Sequence, residues 1–192
     1  MYRMILASGS PRRKEILEQA GVKFQIIPSQ KEEQMTDREP EEVVKELALC
    51  KAKDIADSLD GNVIVIGADT IVVNAGKILG KPCDELDAVN MIMNLQGHSH
   101  NVYTGVCIIV KNENYETQII QFAENTKVRV ADMEKEQAMS YVLSGEPMDK
   151  AGSYGIQGKG FELVKSISGD YYSVMGLPIA SLKRTLTHLG LI

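Results

Sequence analysis

The chain has 192 residues, 44% of them hydrophobic and 24% charged, which fits one compact domain or two small lobes sharing a core and excludes a disordered or low-complexity protein. Twenty-one Lys and Arg stand against 26 Asp and Glu, a net charge of -5, with 5% aromatic residues and no Trp; general nucleic-acid binding calls for a basic, aromatic-interleaved face and is disfavoured. Three cysteines, Cys50, Cys83 and Cys107, form no CxxC pair, so neither a disulfide framework nor a zinc site is encoded and a reducing compartment is expected.

The apolar run at 4–7 is too short for a signal-peptide core, and no later stretch reaches the about eighteen apolar residues of a membrane span. The expectation is a soluble, cytoplasmic protein with no membrane partner. In chain order, residues 3–7 predict a short strand. Ser10 before Pro11 marks a helix start, a side-chain oxygen to cap free amides followed by a residue whose φ is already helical. Ile16, Leu17 and Ala20 make its buried stripe and Gly21 stops it. Residues 23–27 predict a second strand and 28–39 a polar loop. A long helix follows over 40–59, with Val44, Leu47, Ala48, Ile55 and Leu59 at helical spacing.

Residues 63–66 are a continuous β-branched run, the pattern of a strand covered on both faces, predicted to end in Gly67-Ala68-Asp69-Thr70. Residues 71–73 and 77–79 pair as a hairpin across Asn74-Ala75-Gly76. Asp84 caps a helix through Leu95, with Leu86, Ile92 and Leu95 inward and Gly97 beyond its end. Extended segments at 101–110 and 115–130, split by Asn112-Glu113-Asn114, make a second hairpin. Residues 134–143 read as helix, 144–160 as glycine-rich loop, 161–167 as strand and 178–189 as the last helix. Helical and extended signals alternate without a linker or repeat, so the class is α/β in one domain over 1–192, and a parallel βαβ-like beginning followed by long hairpins predicts a mixed sheet.

Ser8-Gly9-Ser10-Pro11-Arg12-Arg13 combines a helix N-terminus, hydroxyls, a glycine and two guanidinium forks, which suits a phosphate; taken alone it reads first as an ordinary Ser-Pro cap with exposed arginines. Gly67-Ala68-Asp69-Thr70 delivers a carboxylate after two small residues that leave room for a ligand, at a strand end of the kind that borders the crevice of open α/β sheets. An Asp there serves equally to cap a turn. Leu79-Gly80-Lys81-Pro82 and Asp149-Lys150-Ala151-Gly152 each set a Lys in a loop, ordinarily solvated surface. Residues 155–160, GIQGKG, have the glycine content of a phosphate loop with neither the Walker nor the dinucleotide spacing. His98 and His100 share a strand face without a third ligand at metal spacing, so surface or packing roles are expected, and His188 complements the dipole of the last helix. No GxSxG, HExxH or Cys/His pairing points to a nucleophile or zinc mechanism.

Taken together, LASGSPRR at 6–13, ELALCKAK at 46–53, IGADTIVV at 66–73, LGKP at 79–82, HNVYTGV at 100–106, SGEPMDKAGSYGIQGKG at 144–160 and GDYYSVMGLP at 169–178 resemble, in order and over nearly the whole chain, the Maf family of nucleoside triphosphate pyrophosphatases. The resemblance implies hydrolysis of the bond between the α and β phosphorus atoms, giving a nucleoside monophosphate and pyrophosphate, with a divalent metal cation, Mg²⁺ or Mn²⁺. It implies a fold similar to inosine triphosphate pyrophosphatases, a mixed elongated β-sheet with helices on its faces and two lobes around a central cleft, in a homodimer.

Carried across by position, Asp69 matches the family's catalytic acid residue, the proton acceptor that activates water, and stands open to being the metal ligand instead. Ser8, Arg12, Arg13, Lys53 and Lys81 match phosphate-handling positions. Glu33 matches an acidic position in the loop after the second strand, where Ser29-Gln30-Lys31-Glu32-Glu33 departs from the commoner Ile-Asp-Glu pattern and Glu32 is the alternative. Arg12, Thr70 and Gln157 fall where substrate choice is set; the branch acting on 7-methylguanosine triphosphate has Trp in place of Arg12, so the resemblance implies dTTP and UTP. The alternatives are a housecleaning enzyme for modified nucleotides such as 7-methyl-GTP and a regulator of septum formation that acts by binding. A triphosphate carries about four negative charges, and a protein of net charge -5 must meet them with cations gathered locally, a role open to Arg12, Arg13, Lys53, Lys81 and the metal.

Overall fold

The computed structural model describes residues 2–31 and 38–192. Strand β1 (Arg3–Leu6) leads to helix α1 (Pro11–Gln19), β2 (Gln25–Ile26), α2 (Pro40–Asp57), β3 (Val63–Asn74), β4 (Lys77–Leu79) and α3 (Glu85–Leu95). Then come β5 (Ser99–Lys111), β6 (Thr117–Val130), α4 (Lys135–Val142), the short 3-10 segments Glu146–Asp149, Ala151–Ser153 and Gly158–Leu163, β7 (Val164–Ser168), α5 (Tyr171–Met175) and α6 (Ile179–His188). Among the described residues the strands form one sheet in the order β2-β1-β3-β5-β6-β7, with β4 on β3. β1 is parallel to β2 and β3, whereas β3–β4 and β6–β7 are antiparallel, so the sheet is mixed, as the βαβ-like beginning and the later hairpins predict. The chain divides into two compact units, Met1–Asp69 with Thr104–Glu124 and Gly176–Ile192, and Thr70–Tyr103 with Asn125–Met175. β3, β5 and β6 each supply residues to both.

In the first unit Ile5, Ala7, Val63 and Val65 pack with Ala48, Ala52, Ile55 and Ala56 of α2 and with Cys107 and Ile109 of β5. α2 forms because Pro40 opens it with helical φ, Glu41 and Glu42 sit in its first turn, and Val43, Val44, Leu47, Ala48, Ala52, Ile55 and Ala56 are buried at helical spacing. It lies almost backbone to backbone on the sheet. A Cβ on Gly67 of β3 would stand 2.3 Å from the Ala48 carbonyl oxygen and 2.8 Å from the Ala52 nitrogen, and one on Gly105 of β5 would stand 2.3 Å from the Val44 carbonyl oxygen. Met4 and Ile64, on the other face, border a hollow lined also by residues 20–23 and by Lys183 and Thr187 of α6. In the second unit Asp84 caps α3 by accepting from the Asp87 amide at 2.8 Å. α3 buries Ala88, Val89, Ile92 and Leu95, and α4 buries Ala138, Tyr141 and Val142.

Several expectations change. β3 does not end at Ile66 but continues through Gly67, Ala68, Asp69 and Thr70 to Asn74; Gly67 makes room for α2 rather than for a turn or a ligand. The tight turn comes after it, where Ala75 and Gly76 take φ of 48° and 77° and β4 returns. Ser10 occupies the N-cap of α1 without a side-chain cap bond; its own amide instead donates to Ser8 Oγ at 3.3 Å. The strand expected over 23–27 shortens to Gln25–Ile26, and α2 stops at Asp57. Leu86 is 64% exposed rather than inward. Phe161 belongs to a 3-10 segment and β7 starts at Val164. The short α5 was not foreseen; Asp170 Oδ1 accepts from the Ser173 amide at its start, at 2.8 Å. No helix among the described residues is long and apolar enough to cross a membrane.

Candidate functional site

In the first unit Ser8 follows the C-terminal end of β1, and Asp69 lies on the neighbouring strand β3. β1 and β3 run parallel in the register Leu6 with Ile66, and the Ala7 amide still donates to the Ile66 carbonyl at 2.8 Å. The loop that starts at Ser8 therefore leaves the sheet beside Gly67, Ala68 and Asp69. Strand alternation puts Val63, Val65, Gly67 and Asp69 on one face, the face α2 covers. Asp69 is buried, and the Lys51 ammonium of α2 donates to its Oδ1; the side chains are only 15% and 7% exposed. A carboxylate withdrawn from water needs such a countercharge, because an isolated buried ion is costly.

Lys51 was missed in the sequence reading, which assigned the nearby Lys53. Position 51 follows the buried Ala48 by three residues and precedes the buried Ile55 by four, so a lysine there sits on the apolar stripe of α2 and must find an acceptor. That break in the pattern was the available signal. Lys53 is exposed.

Ser8 is buried. Its Oγ accepts from Arg13 Nη1 at 3.0 Å, and Arg13 Nε donates to the Gly176 carbonyl at 2.8 Å. The Arg13 fork thus ties the start of α1 to the segment before α6. Arg12 lies half-buried in the same first turn, which contains no acidic residue, so the helix dipole and two guanidinium groups add with one sign. Ser29 Oγ donates to Asp54 Oδ2 of α2 at 2.7 Å and accepts from the Lys31 amide at 3.2 Å, anchoring the start of the loop after β2. Glu33, and its alternative Glu32, lie outside the described residues.

In the second unit Thr70 follows Asp69 on β3 and by alternation takes the opposite face. Lys81 is exposed in the loop after β4. The Gly152 amide donates to the Gly80 carbonyl at 3.0 Å, which joins the Leu79-Gly80-Lys81-Pro82 loop to the Asp149-Lys150-Ala151-Gly152 loop. Gln157 is half-buried in the glycine loop. His100 is buried, with Nε2 2.6 Å from the Tyr154 hydroxyl and the two rings edge to face. Burial lowers its pKa to about 4, and its Nδ1 has no hydrogen-bond partner among the described residues, so it is a neutral packing histidine. Among the described residues no three His, Cys, Asp or Glu side chains cluster as a metal cage.

Residues 3–189 match the family of Maf-like proteins. The chain belongs to the Maf family. Among its relatives, the dTTP/UTP pyrophosphatase of Lachnoclostridium phytofermentans is 48% identical over 191 residues, spanning the whole chain and 97% of that protein. The dTTP/UTP pyrophosphatase of Bacillus thuringiensis subsp. konkukian is 50% identical over 192 residues with the same coverage. A solved nucleoside-triphosphatase, a dITP/XTP pyrophosphatase from Mycobacterium abscessus, aligns with a TM-score of 0.41 and 13% identity over 97% of this chain and 94% of that one. The Maf-like segments lie in both units, with Ser8, Arg12, Arg13, Lys51, Lys53 and Asp69 in the first and Thr70, Lys81 and Gln157 in the second.

Proposed function

We propose that this chain hydrolyses dTTP and UTP between the α and β phosphorus atoms, giving a nucleoside monophosphate and pyrophosphate. The broader class, a nucleoside triphosphate pyrophosphatase, is that of Maf relatives 48% and 50% identical along essentially their full length. The observation that carries the chemistry is the buried pair of Asp69 with Lys51. A carboxylate on a central strand, held by an ammonium from a tightly packed helix, is a fixed acceptor for the proton of a water attacking in line with the leaving pyrophosphate.

The α1 N-terminus with Ser8 and Arg12, together with Lys53 and Lys81, meets the polyphosphate charge, and Arg13 holds the Ser8 hydroxyl in place. Mg²⁺ commonly binds through one or two carboxylates plus substrate phosphates rather than in an all-protein cage; a site with one buried carboxylate fits that mode, with Asp69 as the ligand and Mg²⁺ or Mn²⁺ as the cation. Once bound, the cation neutralises charge on the leaving phosphates. Gln157 offers an acceptor and two donors to the imide edge of uracil or thymine, and Arg12 and Thr70 complete base selection. The working form in this reading is a cytoplasmic homodimer.

Purified protein incubated with a panel of standard and modified nucleoside triphosphates and Mg²⁺ or Mn²⁺, with products identified, tests this reading. Monophosphate and pyrophosphate from dTTP and UTP are expected. Preference for 7-methyl-GTP would overturn the substrate, release of inorganic phosphate would overturn the bond, and absence of products would leave a binding protein.

A further inference from the structure

The glycine loop at 155–160 already encloses an anion, and that anion is part of the chain. Glu146 Oε2 accepts from the Lys159 amide at 3.0 Å, and its Oε1 accepts from the Gly160 amide at 3.2 Å and from the Tyr141 hydroxyl at 3.1 Å. The same hydroxyl accepts from the Gly155 amide at 3.2 Å. The glycines fit this arrangement: Gly158 has φ of 59° and its Cβ would stand 2.8 Å from Glu146 Oε2, while a Cβ on Gly160 would stand 2.3 Å from the Gly155 carbonyl oxygen and 2.8 Å from the Tyr141 hydroxyl. A Cβ on Gly155 would meet Lys150 Cε at 2.9 Å, and the Lys150 ammonium donates to the Glu146 carbonyl. Burial and the neighbouring Glu146 carboxylate push the Tyr141 hydroxyl well above its ordinary pKa, so it stays protonated as a donor. The amides that would cradle a phosphate are therefore given to Glu146.

We infer that Glu146 is a positioning residue for substrate choice, holding both ends of the loop whose middle carries Gln157. The inference rests on the proposed contact of Gln157 with the base. Gly155 is fixed through Tyr141 and Lys159 and Gly160 directly, while the buried Ile156 anchors the residue before Gln157. Three donors converge on the two oxygens of one carboxylate. Glu146→Gln keeps the size but removes one acceptor and turns an N–H group toward a backbone N–H. Glu146→Asp keeps both acceptors on a shorter stem.

The test measures kcat/KM for dTTP and dCTP in the wild type, Glu146→Gln, Glu146→Asp, Gln157→Ala and the double variant Glu146→Gln/Gln157→Ala, with hydrogen exchange of the 155–160 amides alongside. General destabilisation lowers both kcat/KM values together and leaves their ratio alone. Expected is an about tenfold fall in the dTTP to dCTP ratio in Glu146→Gln, in line with loss of a charged hydrogen bond. Faster exchange at 155–160, a ratio largely kept by Glu146→Asp and no further fall when Glu146→Gln is added to Gln157→Ala are also expected. An unchanged ratio in Glu146→Gln beside a reduced one in Gln157→Ala overturns the positioning role alone. An unchanged ratio in Gln157→Ala overturns the base-contact reading instead.

Discussion

Lys51 on α2 donates to Asp69 Oδ1 on β3, and the helix and strand that carry them touch through backbone, at Gly67, one alternation before the aspartate. The distance from helix to strand and the aim of the carboxylate are thus one quantity. A bulkier residue at 67 would lift α2 and draw the ammonium away.

Removing either partner leaves the other ion buried with fewer partners. Lys51→Met is expected to cost about 3 kcal/mol in urea unfolding. Asp69→Asn is expected to abolish pyrophosphate release while a thermal melt still shows a cooperative fold. The double variant Lys51→Met/Asp69→Asn is expected to lose less stability than the two single losses added. Strict additivity, or near-normal release from Asp69→Asn, counts against the pair as the centre of the site.

Gly67→Ala places a Cβ 2.3 Å from the Ala48 carbonyl oxygen, and neither backbone can give way cheaply. The expected loss is about 1–3 kcal/mol, with a lower kcat from the displaced Lys51. Gly80→Ala is the control, since nothing lies within 4 Å of its added Cβ. Equal melting temperatures for the two variants would show that α2 is free to move.

The mixed sheet was legible because a helix separates the first strands, as parallel pairing requires, whereas turn residues alone join the later ones, as in the hairpin across Asn74-Ala75-Gly76. What was misread is physical in each case. Gly67 looks like punctuation, but glycine within a strand also marks a close backbone approach, and only the partner helix distinguishes the two. Lys51 lies outside the positions that the resemblance marks, and only its place between the buried Ala48 and Ile55 on the apolar stripe signals a buried acceptor. Residues 161–163 read as the start of β7, yet they belong to a 3-10 segment that begins at Gly158, where Glu146, a dozen residues earlier, accepts from the Lys159 and Gly160 amides. Local pattern shows which residues are apolar; it does not show which distant carboxylate a loop encloses.

His100 gives the fold a pH dependence of definite sign. Burial lowers its pKa from 6.5 to about 4, so between those values the unfolded chain binds the proton and the folded chain does not. Stability from this group is complete above about pH 6.5 and falls as pH drops toward 4, by about 3 kcal/mol in all. In His100→Asn the slope of unfolding free energy between pH 6.5 and 4 is expected to be shallower than in the wild type by that amount. Parallel slopes in urea titrations would show that His100 is protonated in the folded state.

Arg13 acts through a fork that bridges Ser8 Oγ and the Gly176 carbonyl, two acceptors that a single ammonium does not span in the same geometry. Arg13→Lys is therefore expected to lower the melting temperature, by the equivalent of about 1–2 kcal/mol for the bond lost, and to free the Ser8 hydroxyl. Because the phosphates are common to all nucleoside triphosphates, kcat/KM falls for each by a similar factor and the ratio between dTTP and its competitors is kept. A selectivity change in Arg13→Lys with an unaltered melt would reassign Arg13 from holding Ser8 to reading the base.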